Sequence, residues 1–320
     1  MPHDQIPCIY AAHSYYDIRR ELEKRPSAPP CIQVTTLDDL KKIIADAEIL
    51  VISMLWKNDL LEIAPRLRLI QSISSGVEQF DLNRLKARGI HLCNARGANA
   101  SAVAEHALAL MLSLARRLYE ARDNQKMCRW STTGTDPRPR LQELSEKNVL
   151  IVGMGTIGDR LARLCQALGM NVSGARHSAR PLDVAGVRQI TMDRLHEGLA
   201  DADYVILTCP LTPQTHHLIN TAAFAAMKRD ACLINVARGA VVEEAALIHA
   251  LDTGRIAGAA LDTYDEEPLP ASSPLWSRPN LVMTGHTAGE TQFYERNVVD
   301  ILLRNLAALK TGGPMTNMIV

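Results

Sequence analysis

The sequence lacks an excess of charge of either sign, and it lacks long hydrophobic runs. Lys and Arg together number 35, as do Asp and Glu, so the formal net charge is zero. Proteins that hold a phosphodiester backbone usually carry a basic excess, so we expect no nucleic acid partner. No stretch approaches the ~18 uninterrupted apolar residues of a membrane span, and no basic segment followed by an apolar run opens the chain. We therefore expect a cytoplasmic protein with no membrane contact.

Closely spaced cysteines are also missing. The seven cysteines are scattered, and no two are closer than 23 residues. This spacing excludes a CxxC motif and is typical of reduced cytoplasmic thiols rather than of disulfides. The adjacent His216 and His217 lie in a polar loop and do not face one ligand well. We therefore predict no metal site.

Short β-rich runs alternate along the chain with longer helical patterns, which indicates the doubly wound α/β class with parallel sheets. The predicted strands are Ile6–Tyr10, Ile49–Ser53, Leu69–Ile73, Ile90–Cys93, Val149–Val152, Val172–Ala175, Val205–Thr208, Leu233–Val236 and Ala257–Leu261. The predicted helices include Leu37–Ala45, Ile157–Leu168, Val242–Leu251 and Phe293–Leu309. At 320 residues, two domains are expected.

The segment Ser101–Tyr119 is predicted to be a helix with a Ser N-cap, and it is apolar almost all round. A helix that is apolar on every side is buried on every side, so we expect it to lie between two domains or two subunits. A polar loop with two prolines and a glycine, Ser131–Arg140, follows it. We place the border between two α/β units at about residues 98–101.

A glycine-rich turn follows the strand Val149–Val152 and leads into an amphipathic helix. In this GxGxxG pattern Gly153 permits the tight turn, Gly155 lets the backbone approach a pyrophosphate, and Gly158 lets the helix pack on the strand. The phosphates would then lie at the N-terminal end of the helix, beside Thr156 and Ile157. The context of strand, turn and helix predicts a dinucleotide site.

The end of the next strand indicates which dinucleotide is preferred. An NAD site would place Asp or Glu here to bind the ribose 2′-OH, but this sequence has Arg176, His177 and Ser178, and no acid before Asp183. A guanidinium binds a 2′-phosphate that a carboxylate would repel. The sequence therefore predicts NADP(H) in preference to NAD(H), with solvated loop charges as the alternative.

Three later loops carry an Arg, a Glu and a His in apolar surroundings: Arg238, Glu267 and His286. In open α/β sheets ligands bind beyond the carboxyl ends of the strands, and the Arg and His each follow a β-rich run. Together they offer a carboxylate anchor, a proton donor and an acid that favours the protonated imidazole. Spacing alone leaves each one open as a structural loop residue.

The sequence resembles the D-isomer-specific 2-hydroxyacid dehydrogenases, and within them the glyoxylate and hydroxypyruvate reductases. The resemblance covers most of the chain and rests on these motifs: Ser75-Gly76-Val77, Val103-x-Glu105-His106, Gly153-x-Gly155-x-Ile157-Gly158, Cys209-Pro210-Leu211-Thr212, Asn235-x-x-Arg238-Gly239, Leu261-Asp262, Glu267-Pro268-Leu269-Pro270, Ser273-Pro274-Leu275-Trp276 and His286-x-Ala288-Gly289. It implies a Rossmann cofactor domain, residues 100–289, and a discontinuous flavodoxin-like substrate domain, residues 1–99 and 290–320, with a cleft between them.

The resemblance also implies the roles of individual residues. Arg238 would bind the substrate carboxylate, His286 would act as acid and base, and Glu267 would orient the imidazole. Backbone amides of Ser75, Gly76 and Val77 would bind the same carboxylate, and Met54 would either shape the pocket or pack in the core. The implied cofactor contacts include Arg238, His286, the residues of the glycine-rich turn (Gly153, Gly155, Thr156, Ile157 and Gly158) and the segment after the next strand (Arg176, His177 and Ser178). The other implied cofactor contacts are Cys209, Pro210, Thr215, Val236, Ala237, Asp262, Ala288 and Gly289. Of these, Asp262 would bind the nicotinamide amide.

The sequence therefore predicts an NADPH-dependent reductase that converts a short 2-keto acid into the D-2-hydroxy acid. A corepressor-like protein that senses NAD(P) without turnover stays open, as does a D-lactate or phosphoglycerate dehydrogenase. Gly285 departs from the family, which usually has Pro before the catalytic His. His106 is expected to be a satisfied structural histidine, and we expect a homodimer formed through the 101–119 region.

Overall fold

The computed structural model describes residues 7–130, 140–178 and 180–320. Its strands are β1 (Ile9–Ala12), β2 (Cys31–Val34), β3 (Ile49–Ile52), β4 (Leu69–Ser72), β5 (His91–Cys93), β6 (Asn148–Val152), β7 (Asn171–Ala175), β8 (Arg188–Ile190), β9 (Tyr204–Leu207), β10 (Cys232–Asn235), β11 (Gly258–Leu261) and β12 (Leu281–Met283). Its α-helices are α1 (Ile18–Glu23), α2 (Leu37–Ile43), α3 (Leu82–Ala87), α4 (Ala100–Arg116), α5 (Leu118–Lys126), α6 (Thr156–Ala167), α7 (Leu195–Asp201), α8 (Thr221–Ala226), α9 (Glu244–Asp252) and α10 (Tyr294–Thr311). Ile6 of the first predicted strand and all of the predicted loop 131–140 except Arg140 lie outside the described residues.

The chain divides into two compact units. Unit 1 comprises Met1–Asn99 and Thr291–Val320, and unit 2 comprises Ala100–Glu290. Each unit contains its own parallel sheet. None of the helices in the described ranges is long and apolar enough to cross a membrane.

Unit 1 has the strand order β2-β1-β3-β4-β5, with every pair parallel. This is the flavodoxin-like doubly wound order. The central strand β3 is buried at every position, as expected for a strand covered by helices on both faces. Helix α10 packs against α1 and completes this unit, although it lies near the end of the chain. Its buried Asn305 donates a hydrogen bond of 2.8 Å to the equally buried Gln71 of β4.

Unit 2 has the order β12-β11-β10-β9-β6-β7-β8, again with parallel pairing throughout. The order reverses direction at β6, since β9 lies on one side of it and β7 on the other. Such a switch point is where open α/β sheets bind their ligands, at the carboxyl ends of the strands. The topology therefore places the glycine-rich turn after β6 at this switch point and confirms the predicted fold class.

The structure corrects the prediction for the segment 101–119. Helix α4 ends at Arg116, and Arg117 has a left-handed φ of 48° before α5 begins. The helix is also not buried on every side within unit 2, because Ser101, Glu105 and Ala109 form an exposed strip. The buried positions recur every three or four residues on the opposite face, at Val103, Ala104, Ala107, Leu110, Met111, Leu114 and Ala115. Apolar composition alone did not reveal this one-sided burial.

Candidate active site

The turn after β6 depends on two glycines for close packing. Gly153 has a φ of 112°, and a Cβ on it would overlap the backbone of Cys209 in the loop after β9. A Cβ on Gly158 would lie 2.5 Å from the carbonyl oxygen of Gly153. These glycines therefore hold the turn against α6 and against the loop after β9.

Gly155 differs from Gly153 and Gly158, because a Cβ added there would meet nothing within 4 Å. Gly155 is the N-cap of α6, and no side chain caps this end of the 12-residue helix. The first backbone N–H groups of α6, which begins with Thr156 and Ile157, thus lie beside open space. This arrangement fits a pyrophosphate, which binds to uncapped helix N-termini through N–H groups and the helix dipole.

The loop after β7 carries charges of both signs. Arg176 is half-buried, whereas His177 and Ser178 are exposed. Arg176 forms no ion pair within the described part of the chain, but Arg180 pairs with Asp183 at 2.7 Å. Burial, followed by the Asp183 carboxylate, raises the pKa of Asp159 against the opposing effect of the nearby arginines, including Arg176.

The loop after β9 is organised by its own hydroxyl groups. Thr215 Oγ1 donates a hydrogen bond to the Pro210 carbonyl at 2.7 Å and accepts one from the Thr212 N–H at 2.7 Å. Cys209 is buried, and this burial raises the pKa of its thiol to about 11, so the thiol is neutral near pH 7. Thr215 therefore shapes this loop in the structure.

Arg238 lies on a turn directly after β10. The buried Asn235 fixes this turn, since its side chain donates to the Arg238 carbonyl at 3.0 Å and accepts from the Ala237 N–H at 3.0 Å. Val236 and Ala237 are buried, whereas the Arg238 side chain is exposed and donates to the Ala237 carbonyl at 2.7 Å. No carboxylate in the described ranges forms an ion pair with Arg238, so its guanidinium can receive an anion.

His286 and Glu267, predicted as partners from the motifs, are in direct contact. His286 Nδ1 lies 2.6 Å from Glu267 Oε2. An ionised carboxylate can only accept, so Nδ1 carries the proton of this bond. Glu267 is oriented in turn by the backbone N–H of Tyr264, which donates to Oε1 at 2.9 Å. The His286 side chain is 47% exposed, so its other ring nitrogen can reach a ligand.

Asp262 is bound to the His286 loop by several hydrogen bonds. Its side chain is fully buried and accepts hydrogen bonds from the Thr284 hydroxyl at 2.6 Å, the Thr287 N–H at 2.9 Å and the Ala288 N–H at 3.0 Å. Its carbonyl accepts from the His286 N–H at 2.8 Å. A carboxylate can accept about four hydrogen bonds, so the predicted contact with a nicotinamide amide stays a prediction.

The strand register gathers these loops at one edge of the sheet. Asn235, Leu261 and Met283 are paired across the ends of β10, β11 and β12. Arg238, Asp262 and His286 therefore follow three neighbouring strands, at the same edge as the glycine-rich turn. Ala288 and Gly289 continue the same loop, with Ala288 buried. The structure thus brings the predicted residues of unit 2 to one sheet edge.

The predicted residues of unit 1 lie on loops after β3 and β4. The Asn94 side chain donates to the Ser75 carbonyl at 2.7 Å, and the Ser74 hydroxyl donates to the Gly76 carbonyl at 3.0 Å. The backbone N–H groups of Ser75, Gly76 and Val77 donate to no other residue in the described ranges, as an anion-binding loop requires. Met54 is 72% exposed, which excludes its role as a core residue.

Sequence reasoning did not assign functional roles to Asn235, Thr284 or Tyr264. Asn235 was visible in its motif, because it begins the Asn235-x-x-Arg238-Gly239 pattern, but its side-chain contacts were not. Thr284 contacts His106 across 178 positions of sequence, with 3.0 Å between Oγ1 and Nε2. Nothing local in the sequence signals that contact.

A Rossmann-type sheet, an uncapped glycine turn, and an Arg and a His–Glu pair at one sheet edge define the class of NAD(P)-dependent oxidoreductases. The profile of the family described as "D-isomer specific 2-hydroxyacid dehydrogenase, NAD binding domain" matches residues 108–288. The chain belongs to this family, which confirms the resemblance inferred from the motifs. A 2-keto or 2-hydroxy acid is the corresponding substrate class.

Named relatives agree with this assignment. The chain is 37% identical over 265 residues to glyoxylate/hydroxypyruvate reductase B of Yersinia pestis (strain Pestoides F), covering 82% of this chain and 80% of that protein. It is 31% identical to a D-isomer specific 2-hydroxyacid dehydrogenase family protein from Aeromonas salmonicida, with a TM-score of 0.82 and 98% of both chains covered. The D-lactate dehydrogenase of Lactobacillus jensenii, solved with NAD+, is 25% identical, with a TM-score of 0.83 over 98% of this chain and 99% of that one.

Proposed function

We propose that this protein reduces a short 2-keto acid of the glyoxylate or hydroxypyruvate type to the D-2-hydroxy acid, with NADPH as the preferred cofactor. The observation that carries the proposal is the 2.6 Å contact between His286 and Glu267, at the sheet edge where Arg238 forms no ion pair with any residue of the described ranges. An anion-binding guanidinium near an imidazole with an acidic partner suits a substrate that combines a carboxylate with a reducible carbonyl. The names of the relatives support the small substrate.

Arg238 binds the substrate carboxylate, and its planar fork of donors suits a bidentate contact better than an ammonium group would. A reduced nicotinamide held in unit 2 would supply the hydride for the keto carbon. His286 donates a proton from Nε2 to the keto oxygen, which becomes the new hydroxyl group. Glu267 holds the imidazole in orientation through its contact with Nδ1. His286 then regains a proton from solvent, to which it is exposed.

The N-terminal end of α6 would hold the cofactor pyrophosphate, and Arg176 with His177 and Ser178 would hold the 2′-phosphate. The unpaired guanidinium of Arg176 supports NADPH over NADH, because a phosphate forms charge-assisted hydrogen bonds there. The carboxylate of Asp159 interacts electrostatically with Asp183 and with the nearby arginines, including Arg176. We therefore expect a graded preference for NADPH over NADH, which paired kinetics with both cofactors will measure.

In unit 1, the backbone N–H groups of Ser75, Gly76 and Val77 are proposed to bind a substrate carboxylate, and the exposed Met54 is proposed to contact the substrate. We further propose that the protein acts in the cytoplasm as a homodimer that uses the α4–α5 region. Half-buried Leu108 and Leu112 and exposed Leu118 in these helices support that surface.

The test is a kinetic screen of the purified protein with NADPH and NADH against glyoxylate, hydroxypyruvate, pyruvate and bulkier 2-keto acids. We expect turnover of the smallest acids with NADPH, and a loss of about a hundredfold or more in kcat/KM for Arg238→Ala, since the guanidinium that binds and positions the substrate carboxylate is removed. Arg229→Ala is the matched control, because Arg229 is exposed and precedes β10 at the opposite sheet edge. Normal turnover by Arg238→Ala would contradict the proposed role of Arg238.

The same screen separates the alternatives. Preference for pyruvate would indicate a D-lactate dehydrogenase, the activity named for the Lactobacillus jensenii relative. Cofactor binding without turnover of any keto acid would indicate a sensing protein. Bulkier acids test the pocket, where one methylene group changes specificity by about 1–3 kcal/mol.

A further inference from the structure

His106 extends from α4 into a hydrogen-bonded chain that ends at the His286 loop. Its Nε2 lies 3.0 Å from Thr284 Oγ1, and that hydroxyl lies 2.6 Å from Asp262 Oδ1. Asp262 then contacts the backbone of Thr287 and Ala288. All these residues belong to unit 2.

The donors and acceptors of this chain can be assigned from its chemistry. The Asp262 carboxylate only accepts when ionised, so the single hydroxyl proton of Thr284 points to Asp262. Thr284 Oγ1 must therefore accept from His106, which requires a proton on His106 Nε2. The imidazole nitrogen also lies 3.6 Å from Asp262 Oδ1, so its N–H dipole or positive charge stabilises the buried carboxylate.

At the other end of this series of hydrogen bonds, the backbone of His286 is strained. His286 has a φ of 55°, the left-handed region that side chains with a Cβ rarely adopt. Gly285 before it gives the backbone freedom, since a Cβ there would meet nothing within 4 Å. The conformation therefore depends on the bonds from Asp262, whose carbonyl accepts from the His286 N–H at 2.8 Å.

We propose that His106 is a positioning residue: through Thr284 and Asp262 it holds the turn 285–288 so that the His286 imidazole meets Glu267. This inference rests on the proposed function, because the value of a fixed imidazole is a proton delivered to the keto oxygen. His106 itself touches neither Glu267 nor His286 in any contact described above. A purely structural histidine would instead contribute to folding stability without affecting His286.

The test compares variants that keep or remove the Nε2–H donor. His106→Gln places an amide N–H near the position of Nε2, whereas His106→Leu fills the space without a donor, and His106→Asn carries an amide too short to reach Thr284. Thr284→Val breaks the next link, and Thr284→Ser restores it. The matched control is His249→Leu, since His249 is exposed on α9.

We expect His106→Leu and Thr284→Val to lower kcat by about tenfold to a hundredfold, the scale of a misplaced catalytic group, with little change in KM. The thermal midpoint should fall in both variants, because the buried Asp262 carboxylate loses a stabilising partner, so kcat and the NMR signals are the deciding readouts. His106→Gln, Thr284→Ser and His249→Leu should stay near wild type. Because both residues act in one series, the double variant should be no worse than either single variant. If His106→Leu does not fold, His106→Asn provides the comparison.

A second readout does not require activity. In imidazole nitrogen NMR of the free protein, the His286 signals, assigned by their loss in His286→Gln, should shift in His106→Leu and not in His106→Gln or His249→Leu. Unchanged His286 signals, unchanged kcat in a folded His106→Leu, or losses that add in the double variant would each overturn the inference. Absence of turnover by wild type would instead overturn the proposed function, while the NMR comparison would still test the positioning role.

Discussion

At the scale of single residues, the contact between His286 and Glu267 gives a prediction about kcat. Glu267 Oε2 lies 2.6 Å from His286 Nδ1 and accepts the hydrogen bond that orients the ring. Glu267→Gln keeps a polar side chain but removes the charge of the acceptor, so this bond weakens and kcat should fall.

Steady-state kinetics with a saturating cofactor would measure this effect. Glu266→Gln is the matched control, because Glu266 is the adjacent exposed acid. A wild-type kcat in Glu267→Gln would show that the acid does not act on the imidazole.

Gly285 permits a separate prediction about stability. Its φ lies outside the left-handed region, a Cβ there meets nothing within 4 Å, and its N–H donates to no other residue in the described ranges. Gly285→Pro should therefore restrict mainly the unfolded chain and raise the free energy of unfolding by about 0.4–1 kcal/mol.

Urea unfolding followed by circular dichroism would measure the change at Gly285. Gly254→Pro is the contrast, because Gly254 has a φ of 62° and its N–H donates to the Leu251 carbonyl at 3.3 Å, so this variant should be destabilised. A lower unfolding midpoint for Gly285→Pro would refute the prediction for that site.

Single residues also show where sequence reasoning ends. Arg238, Glu267 and His286 could be selected because chemistry-bearing residues in strand-end motifs are visible in the chain. Asp262 could also be selected from its motif, but the three donors of its own unit that contact its carboxylate could not be predicted. Burial and hydrogen-bond partners arise from tertiary structure, so no reading of the motif could supply them.

At the scale of elements, experiments can distinguish the roles of Gly155 and Gly153 in the turn that precedes α6. Gly155→Ala adds a methyl group to open space, so the protein should fold with an unchanged thermal midpoint but bind NADPH more weakly, because the methyl group faces the pyrophosphate. Gly153→Ala should lower the midpoint itself, since its φ is 112° and its Cβ would overlap the Cys209 backbone.

Thermal unfolding without cofactor and fluorescence titration with NADPH would distinguish these two effects. Gly312→Ala is a control for the glycine-to-alanine change away from the turn, at a positive φ of 67° with no neighbour within 4 Å. Wild-type affinity for NADPH in Gly155→Ala would show that the pyrophosphate lies elsewhere.

Elements were predictable in proportion to their burial. Central strands such as β3 and β9 were found because all their residues are apolar and buried. The missed strands β2, β8 and β12 lie at the ends of the sheets, where partial exposure allows polar residues and weakens the pattern. The break at Arg117 was also missed, because a left-handed arginine has no sequence signal comparable to glycine or proline.

At the scale of the whole molecule, each of the two units contains its own doubly wound parallel sheet. Unit 2 collects the glycine-rich turn, Arg238 and the His286–Glu267 pair at one edge of its sheet, and the loop Ser75–Val77 belongs to unit 1. The fold follows from alternating apolar runs and was predictable for that reason. The contacts between residues far apart in sequence, such as Thr284 with His106, required the folded chain.

The surface of α5 and the residues after it yields a prediction about assembly. Leu118 is 55% exposed, Met127 66% and Trp130 90%, and large apolar side chains exposed together are typical of protein interfaces. We expect the 35.2 kDa chain to sediment as a homodimer of about twice that mass.

Leu118→Glu should shift the equilibrium towards monomer, because it places a charge on the proposed apolar contact surface. Leu168→Glu is the control and should not shift it, since Leu168 is 38% exposed at the end of α6. Sedimentation equilibrium over a range of concentrations would measure both, and a wild-type monomer at every concentration would contradict the predicted assembly.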